Sequence, residues 1–457
     1  MIWRATAFAV AVAVAVAAAS PAMAQPDKPS TPSPFRYDDD PKTFADDATD
    51  GTYARLKFIP LADGDYLSLG ADLRERGEAS DVGLLGFRSG SGDFYVLHRL
   101  LIFGDLQLGP DVRLFAQLGD HDEAGRSPSA APTDVDRLDL QQAFIDLSSN
   151  LGRGRATLRA GRAEMSFDEG ALIGLRDGPN VRQVWDGVRL TYVEGRWRWD
   201  AFVVKPVSVA AGVFDDSAIR KQGLAGVHVT AALTPVAFDA FYYRSVVPAV
   251  RLLAVSGREA TVTVGVRVRG VAGRFDFSLG GIGQTGDLAN HRVRAFAFHA
   301  DAGLTFPGPW KPHVLARADV ISGGGARDGT VATFNALYPN VAYSTEATIE
   351  APANLVEVGL VAKASPSRIV TLQYTLEGLW RYSSRDAFYA APLMPLVRPG
   401  VSGDRFTGVE QQLGATLRPN RFLTVTAALV HFGAGDFIRR AGGRGENFGM
   451  LSLAVRL

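Results

Sequence analysis

The sequence predicts an all-β fold, namely a transmembrane antiparallel β-barrel of about 18 strands. Short amphipathic segments recur from residue 65 to residue 457, and in 261–269 four valines alternate with Thr, Gly and Arg. One face of each strand of a membrane barrel meets lipid and the other meets the lumen, which gives this alternation. The gaps between the segments alternate short and long, as expected for tight turns on one side of a membrane and long loops on the other.

The period-two pattern predicts strands at residues 65–78, 94–109, 111–120, 138–147, 155–164, 185–194, 196–205, 222–233, 236–247, 259–270, 273–283, 291–306, 312–322, 353–364, 367–381, 405–418, 420–433 and 446–457. An even number of strands puts both termini on the periplasmic side. Long loops are expected at 120–137, 165–184, 206–221, 248–258, 322–352 and 382–404. Aromatic residues near strand ends predict girdles at the membrane surfaces, among them Trp185, Trp197, Trp199 and Phe306.

The residues before the barrel predict export. Residues 1–24 are expected to be a cleaved secretory signal, with Arg4, an uncharged apolar run at 7–19 and a small-x-small motif at 22–24. The apolar run is too short to span a membrane as a helix. Residues 25–52 are rich in Pro, Asp, Ser and Thr and are expected to form a flexible periplasmic leader. Residues 53–457 then form the barrel, and the expected location is the bacterial outer membrane.

Composition excludes several kinds of site. There is no Cys, which excludes disulfides and thiolate metal sites, and the formal net charge of zero gives no electrostatic reason to bind nucleic acid. Neither a cofactor nor a metal is expected. Of the 48 basic residues 41 are Arg and seven are Lys. This excess reflects either genomic base composition or a need for fixed, bidentate contacts to carboxylates.

A barrel of this size encloses a water-filled lumen, and the parity of the strands predicts which charges face it. A ring of Arg in the lumen favours anions, although Arg and acids that pair across strands would only stiffen the wall. The inward residues are expected to include Arg74, Arg76, Arg99, Arg159 and Arg189, with the acids Asp72, Asp105, Asp139, Asp200 and Glu377.

A family resemblance appears in the first half of the chain. The segments that carry it are 69–76, 137–147, the Gly-Arg-x-Glu-x-Ser-Phe run at 161–167, 176–182, 186–190 and 214–216. They resemble the alginate-export family of outer-membrane porins. The resemblance implies an 18-stranded monomeric barrel whose basic constriction passes an anionic polyuronate such as alginate outward. It implies pore-lining roles for Arg74, Arg99, Asp139, Arg159, Arg162, Glu164, Arg182 and Arg189.

The expected partners are outer-membrane lipid, an acidic saccharide or other small anionic solute, and periplasmic export proteins. Three alternatives stay open at this point: a general small-solute porin, a barrel enzyme that hydrolyses lipids, and a structural or adhesive barrel. The enzyme needs a strand His beside a Ser at the membrane edge, and none of the strand histidines has an obvious Ser partner. The sequence therefore favours a channel over an enzyme.

Loop 165–184 is expected to set the constriction. It carries Arg176 and Arg182, joins the predicted strands of Arg159 and Arg189, and contains glycines that let it bend back. We expect it to fold into the lumen with Arg182 near Arg159 or Glu164. Deletion of residues 170–180 is then expected to raise conductance and weaken anion preference.

Overall fold

A computed structural model describes residues 32–44, 51–62, 64–88, 92–340, 342, 344–391 and 393–457. Eighteen long strands form one closed antiparallel sheet. They are β1 Tyr66–Ser80, β2 Phe94–Leu108, β3 Val112–Ala124, β4 Asp136–Leu151, β5 Gly154–Glu164, β6 Val184–Glu194, β7 Trp197–Ser208, β8 Gly223–Leu233, β9 Val236–Leu252, β10 Val255–Ala272, β11 Phe275–Leu288, β12 His291–Thr305, β13 His313–Ile321, β14 Leu355–Ala364, β15 Val370–Arg381, β16 Phe406–Leu417, β17 Leu423–Ala434 and β18 Glu446–Arg456.

The barrel closes where β18 returns to β1. These strands pair antiparallel from Asp72 opposite Arg456 to Ser80 opposite Phe448. Every strand therefore has two neighbours, and the sheet has no free edge that lipid would leave unsatisfied. The predicted 18-stranded antiparallel barrel is confirmed. The register puts both ends of the barrel at the short turns, and the assignment of that side to the periplasm stays a prediction.

The outer surface of the barrel is apolar. On strand after strand, large apolar side chains at alternate positions are 36 % exposed or more. They include Leu73, Ile102, Leu118, Leu190, Val203, Val264, Val266, Leu279, Phe298, Val358, Leu360, Leu376, Leu413, Leu429 and Leu453. This is the alternation expected of a lipid-facing wall. Among the described residues, no helix has the length and apolarity needed to cross a membrane.

Two details of the prediction are wrong. Residues 248–258 are not a long loop, because β9 runs to Leu252 and β10 starts at Val255. The register shifts between Val247 and Val250, so that Pro248, which has no N–H to donate, lies in a bulge instead of ending the strand. Trp185 does not belong to a lipid girdle, since it is 2 % exposed and meets Tyr338 edge to face at 4.6 Å.

Shorter elements complete the fold. Helix α1, Gly51–Lys57, lies at the turn side, and helix α2, Asp436–Arg440, lies at the loop side after β17. The long loop-side connections carry small strand pairs, Ala326–Arg327 with Thr330–Val331 and Phe388–Ala390 with Met394–Val397. Ile59–Pro60 pairs with β1, and Ser217–Ala218 pairs with β7.

The segment before the barrel is described in part. The predicted signal, 1–24, lies outside the described residues. Residues 32–44, named here the leader segment, form two turns of 3-10 helix at Arg36–Asp38 and Pro41–Phe44. Arg36 and Tyr37 are buried at 1 % and 6 % exposure. The flexibility and periplasmic location predicted for 25–52 stay predictions.

Candidate functional site

The connection between β5 and β6 folds into the lumen and is fastened there by Asn180. This residue is fully buried. Its amide nitrogen lies within hydrogen-bond distance of three main-chain oxygens, those of His98 at 2.7 Å, Asp134 at 2.9 Å and Asp122 at 3.0 Å. An amide buried among carbonyls loses its hydrogen bonds if it moves, so Asn180 fixes the loop to β2 and β3. The Gly-Pro pair before it supplies the bend.

Two predicted lumen arginines meet on this loop. Arg74 of β1 donates to the main-chain oxygen of Asp177 at 2.5 Å and to Asn180 Oδ1 at 3.1 Å. Arg99 of β2 donates to the main-chain oxygen of Asn180 at 3.2 Å and to Asp177 Oδ1 at 2.7 Å. Both side chains point inward and are buried. Neighbouring strands thus present two fixed guanidinium groups to one short stretch of loop.

Arg182 joins the same group. Its Nε donates to Asp177 Oδ1 at 2.7 Å, and its Nη1 lies 3.5 Å from Glu164 Oε1 at the end of β5. Gln141 donates to the same Glu164 oxygen at 3.2 Å. Desolvation deep in the barrel opposes ionisation of Asp177, but the guanidinium groups of Arg182, Arg99 and Arg74 outweigh it and hold the pKa of Asp177 well below its ordinary value.

An internal cavity of about 170 Å³ lies beside these residues. Five arginines line it, named here the basic cluster: Arg74, Arg76, Arg99, Arg182 and Arg456. Three carboxylates face them, from Asp72, Asp177 and Glu346. The cavity lining therefore has two more arginines than carboxylates, and Glu78 and Glu164 behind it pair with Arg76 at 2.5 Å and Arg182 at 3.5 Å.

The other predicted site residues are not part of the basic cluster. Each is bound to a nearby partner, as expected if Arg and acids pair across strands to stiffen the wall. Arg159 binds Asp146 through two hydrogen bonds of 2.8 Å, Arg162 binds Asp186 at 2.8 Å, and Arg189 binds Asp200 at 2.8 Å. Asp139 accepts the main-chain N–H groups of Asp215 at 2.8 Å and Asp216 at 3.1 Å.

A second group of inward charges is acidic and lies on strands β13 to β16. One inward acid comes from each of β13 to β16, and this acidic wall consists of Asp319, Glu357, Glu377 and Glu410. In the sheet Asp319 is opposite Glu357, and Glu377 is opposite Glu410. The three glutamates are fully buried, while hydroxyls of Ser344 and Thr345 donate to Glu357 at 2.6 Å and Glu410 at 2.7 Å. The lumen thus has a basic cluster and an acidic wall at different places on its circumference, and paired charges elsewhere.

Sequence reasoning missed the leader segment as part of the site. The Arg36 guanidinium is ion-paired with Asp72 and donates to the main-chain oxygen of Leu457 at 2.6 Å. The Pro34 carbonyl accepts a hydrogen bond from Arg182 at 3.2 Å. The segment therefore occupies the lumen directly on the turn side of the basic cluster.

Aromatic packing holds the leader segment against the wall. The Tyr37 hydroxyl donates to the main-chain oxygen of Glu164 at 2.9 Å. Its ring packs edge to face on Phe115 and Phe144, at 6.2 and 5.6 Å, and the Arg159 guanidinium lies 4.0 Å from its centre. The only hint in the sequence is that Phe35 and Tyr37 interrupt an otherwise polar stretch.

Comparison with known proteins agrees with this architecture. The family model described as alginate export matches residues 65–451. No curated protein matched the chain. Three similar solved structures are OccK11 (OpdR) of Pseudomonas aeruginosa, OccK2 (OpdF) of the same organism in complex with glucuronate, and OccAB4 of Acinetobacter baumannii.

These structures share the fold at low sequence identity. OccK11 has a TM-score of 0.53 at 13 % identity, with 86 % of this chain and 96 % of that chain covered. OccK2 has 0.54 at 12 %, and OccAB4 has 0.55 at 10 %, each with 86 % of this chain and 98 % of that chain covered. Together with the closed 18-stranded sheet, the match over residues 65–451 shows that the chain is an outer-membrane β-barrel channel of the alginate-export family.

Proposed function

We propose that the protein passes an anionic solute across the outer membrane, most naturally an acidic saccharide of the polyuronate class, and that it is a channel without enzymatic activity. The observation that carries the proposal is the basic cluster, in which five arginines line one cavity against three carboxylates. Guanidinium groups bind carboxylates bidentately and stay charged at any physiological pH. A polyuronate has one carboxylate per sugar residue, so successive carboxylates can bind the arginines of the basic cluster in turn as the chain moves through the pore.

Exchange of protein acceptors for solute acceptors is the mechanism that we propose. The Asp177 side chain, 44 % exposed, now neutralises Arg99 and Arg182. A solute carboxylate that replaces it gains two charge-assisted hydrogen bonds, while Asp177 returns when the solute leaves. A pore conducts only if its site binds weakly enough to release the ion, and an internal competitor such as Asp177 provides this.

Anion preference is tested by reversal potentials in a salt gradient across planar bilayers. We expect the double variant Arg74→Gln/Arg99→Gln to lower the anion-to-cation permeability ratio. Its matched control is Arg153→Gln/Arg155→Gln, which removes the same charge at the turn between β4 and β5, where Arg155 is 42 % exposed. Equal reversal potentials for the wild type and the Arg74/Arg99 variant would contradict an anion path along the basic cluster.

The solute class is tested by current block. Oligouronates are expected to interrupt single-channel current, and neutral oligosaccharides of the same length are expected to do so much less. The block by oligouronates should weaken in the Arg74→Gln/Arg99→Gln variant. Equal block by both kinds of sugar would instead favour a general small-solute porin.

A further inference from the structure

Three aspartates from two elements converge near the loop side of the barrel. Asp136 and Asp139 lie at the start of β4 and are 2 % and 3 % exposed. Asp216 comes from the connection between β7 and β8, numbered 209–222 here, and is half-buried. One carboxylate oxygen from each residue lies within 4.8 Å of the other two. Carboxylates held this close repel one another, and either a shared proton or a bound cation relieves the repulsion.

The charge of this group is not balanced by the protein. Arg162 is the adjacent base, and its Nη1 is 3.7 Å from Asp139 Oδ1. That guanidinium is already bound by Asp186, at 2.8 Å through Nε and 3.2 Å through Nη2. Asp136 Oδ1 is buried and has no hydrogen-bond partner among the described residues. The three carboxylates therefore carry more negative charge than Arg162 offsets, and Asp136 Oδ1 accepts no hydrogen bond from the described residues.

An independent observation comes from His121 of β3. Its imidazole is fully buried, and neither ring nitrogen has a hydrogen-bond partner in the described part of the chain. Nδ1 lies 3.7 Å from Asp136 Oδ2, so the unpartnered ring is aimed at the carboxylate group. Carboxylates that bind a metal are in turn held by outer hydrogen-bond partners. His121 has the placement of such a positioning residue.

We propose that Asp136, Asp139 and Asp216 bind a divalent cation, with Ca²⁺ preferred over Mg²⁺, and that the ion fastens connection 209–222 to β4. Ca²⁺ binds oxygens at 2.3–2.6 Å, so two ligands on opposite sides of it are about 5 Å apart, whereas Mg²⁺ requires about 4 Å. The three aspartate oxygens, all within 4.8 Å of one another, are close enough to share one Ca²⁺. Main-chain oxygens and water supply the remaining ligands that Ca²⁺ needs.

Titration of the purified, folded chain in detergent with CaCl₂, followed by calorimetry, tests the site directly. We expect saturable binding of one Ca²⁺ with a dissociation constant on the order of 0.1–1 mM, as in extracellular modules, and weaker binding of MgCl₂. Asp216→Asn and Asp136→Asn should each weaken Ca²⁺ binding by roughly tenfold or more. Asp215→Asn is the matched control, since it removes an adjacent, exposed charge outside the three-carboxylate group, and it should keep the wild-type affinity within about threefold.

A second readout separates the site from general surface charge. A nitroxide at Ala211→Cys, in a chain that has no other Cys, is expected to lose mobility when CaCl₂ is added. The same label combined with Asp216→Asn should not respond. Asp216 lies outside the strands, so its substitution leaves the sheet intact, and heat-modifiable migration on gels verifies folding. No saturable binding by the wild type, or equal binding by wild type and Asp216→Asn, would overturn the proposal.

Discussion

The guanidinium of Arg36 donates a hydrogen bond of 2.6 Å to the main-chain oxygen of Leu457, so the leader segment is tied to the last residue of the chain. The ammonium group of Lys57 in α1 donates to the same oxygen at 2.9 Å. Arg36 is also ion-paired with Asp72, and its side chain is fully buried. Two basic side chains therefore converge on one main-chain oxygen at the turn-side end of the barrel.

Removal of the leader segment is expected to widen the pore. Deletion of residues 32–44 takes Arg36 and Tyr37 out of the lumen beside the basic cluster, and single-channel conductance in planar bilayers should rise. Lys42→Ala is the control, because Lys42 is exposed and its loss should leave conductance unchanged. If the deletion variant conducts like the wild type, the route for ions does not pass the leader segment.

Docking of α1 should depend on pH through Lys57. Burial, with a contribution from the nearby Arg36 charge, lowers the pKa of Lys57 to about 7, against the effect of Asp39 and Asp72. A free Lys keeps its proton up to about pH 10, so the docked helix binds fewer protons than the undocked one between these values. Docking should therefore strengthen as pH rises from about 7 towards 10.

A nitroxide at Thr52→Cys, on the exposed side of α1, measures this docking. Its mobile fraction is expected to fall with rising pH and to be insensitive to pH when Lys57→Met is added. Because the chain has no Cys, the label has a single site. A pH response that persists in the Lys57→Met background would assign the effect to another group.

Substitution of Asp177 should change selectivity in the direction opposite to loss of the arginines. Asp177→Asn leaves Arg99 and Arg182 without their shared carboxylate, so the anion-to-cation permeability ratio is expected to rise. Asp111→Asn serves as the control, since Asp111 is a 58 % exposed turn residue paired with Arg155. Reversal potentials distinguish the two, and a lower ratio for Asp177→Asn would mean that the loop carboxylate does not face the ion path.

Deletion of residues 170–180 is still expected to raise conductance, but the contacts reverse the expected effect on selectivity. The deletion removes Asp177 together with Arg176, so the net charge is unchanged, but it also removes the carbonyls that bind Arg74 and Arg99. These guanidinium groups become free, and anion preference should increase. Asn180→Ala is a neutral companion variant, which releases the loop without a change of charge. Bilayer recordings should show higher conductance for both variants. If the deletion instead weakens anion preference, the effect predicted from the sequence alone is correct and the one predicted from the contacts is wrong.

The fold was largely predictable because each strand carries its own signal. Alternation such as that at 261–269 specifies which face of the strand meets lipid. A shift of the strand register by one residue would move every side chain to the opposite face. Arg74, Arg99 and Glu377 were placed inward by this parity alone and are buried. The loop predicted at 248–258 is wrong because a bulge around Pro248 keeps the two strands paired. A bulge interrupts the alternation of apolar and polar residues, so the sequence pattern does not show that the strand continues.

The site was only partly predictable because it depends on contacts across the lumen. Asn180 holds the loop through carbonyls of His98, Asp122 and Asp134, and main-chain acceptors leave no trace in the sequence. Arg36 lies in a stretch whose composition is typical of a flexible segment. The basic cluster also depends on the path of the β5–β6 loop, which brings Arg182 and Asp177 to Arg74 and Arg99, and strand parity does not predict that path.

The bond between Arg36 and Leu457 has a consequence for assembly. Its acceptor belongs to the final residue of the chain, beside the seam where the eighteenth strand meets the first. The binding site of the leader segment is therefore complete only after β18 has paired with β1 and the barrel is closed.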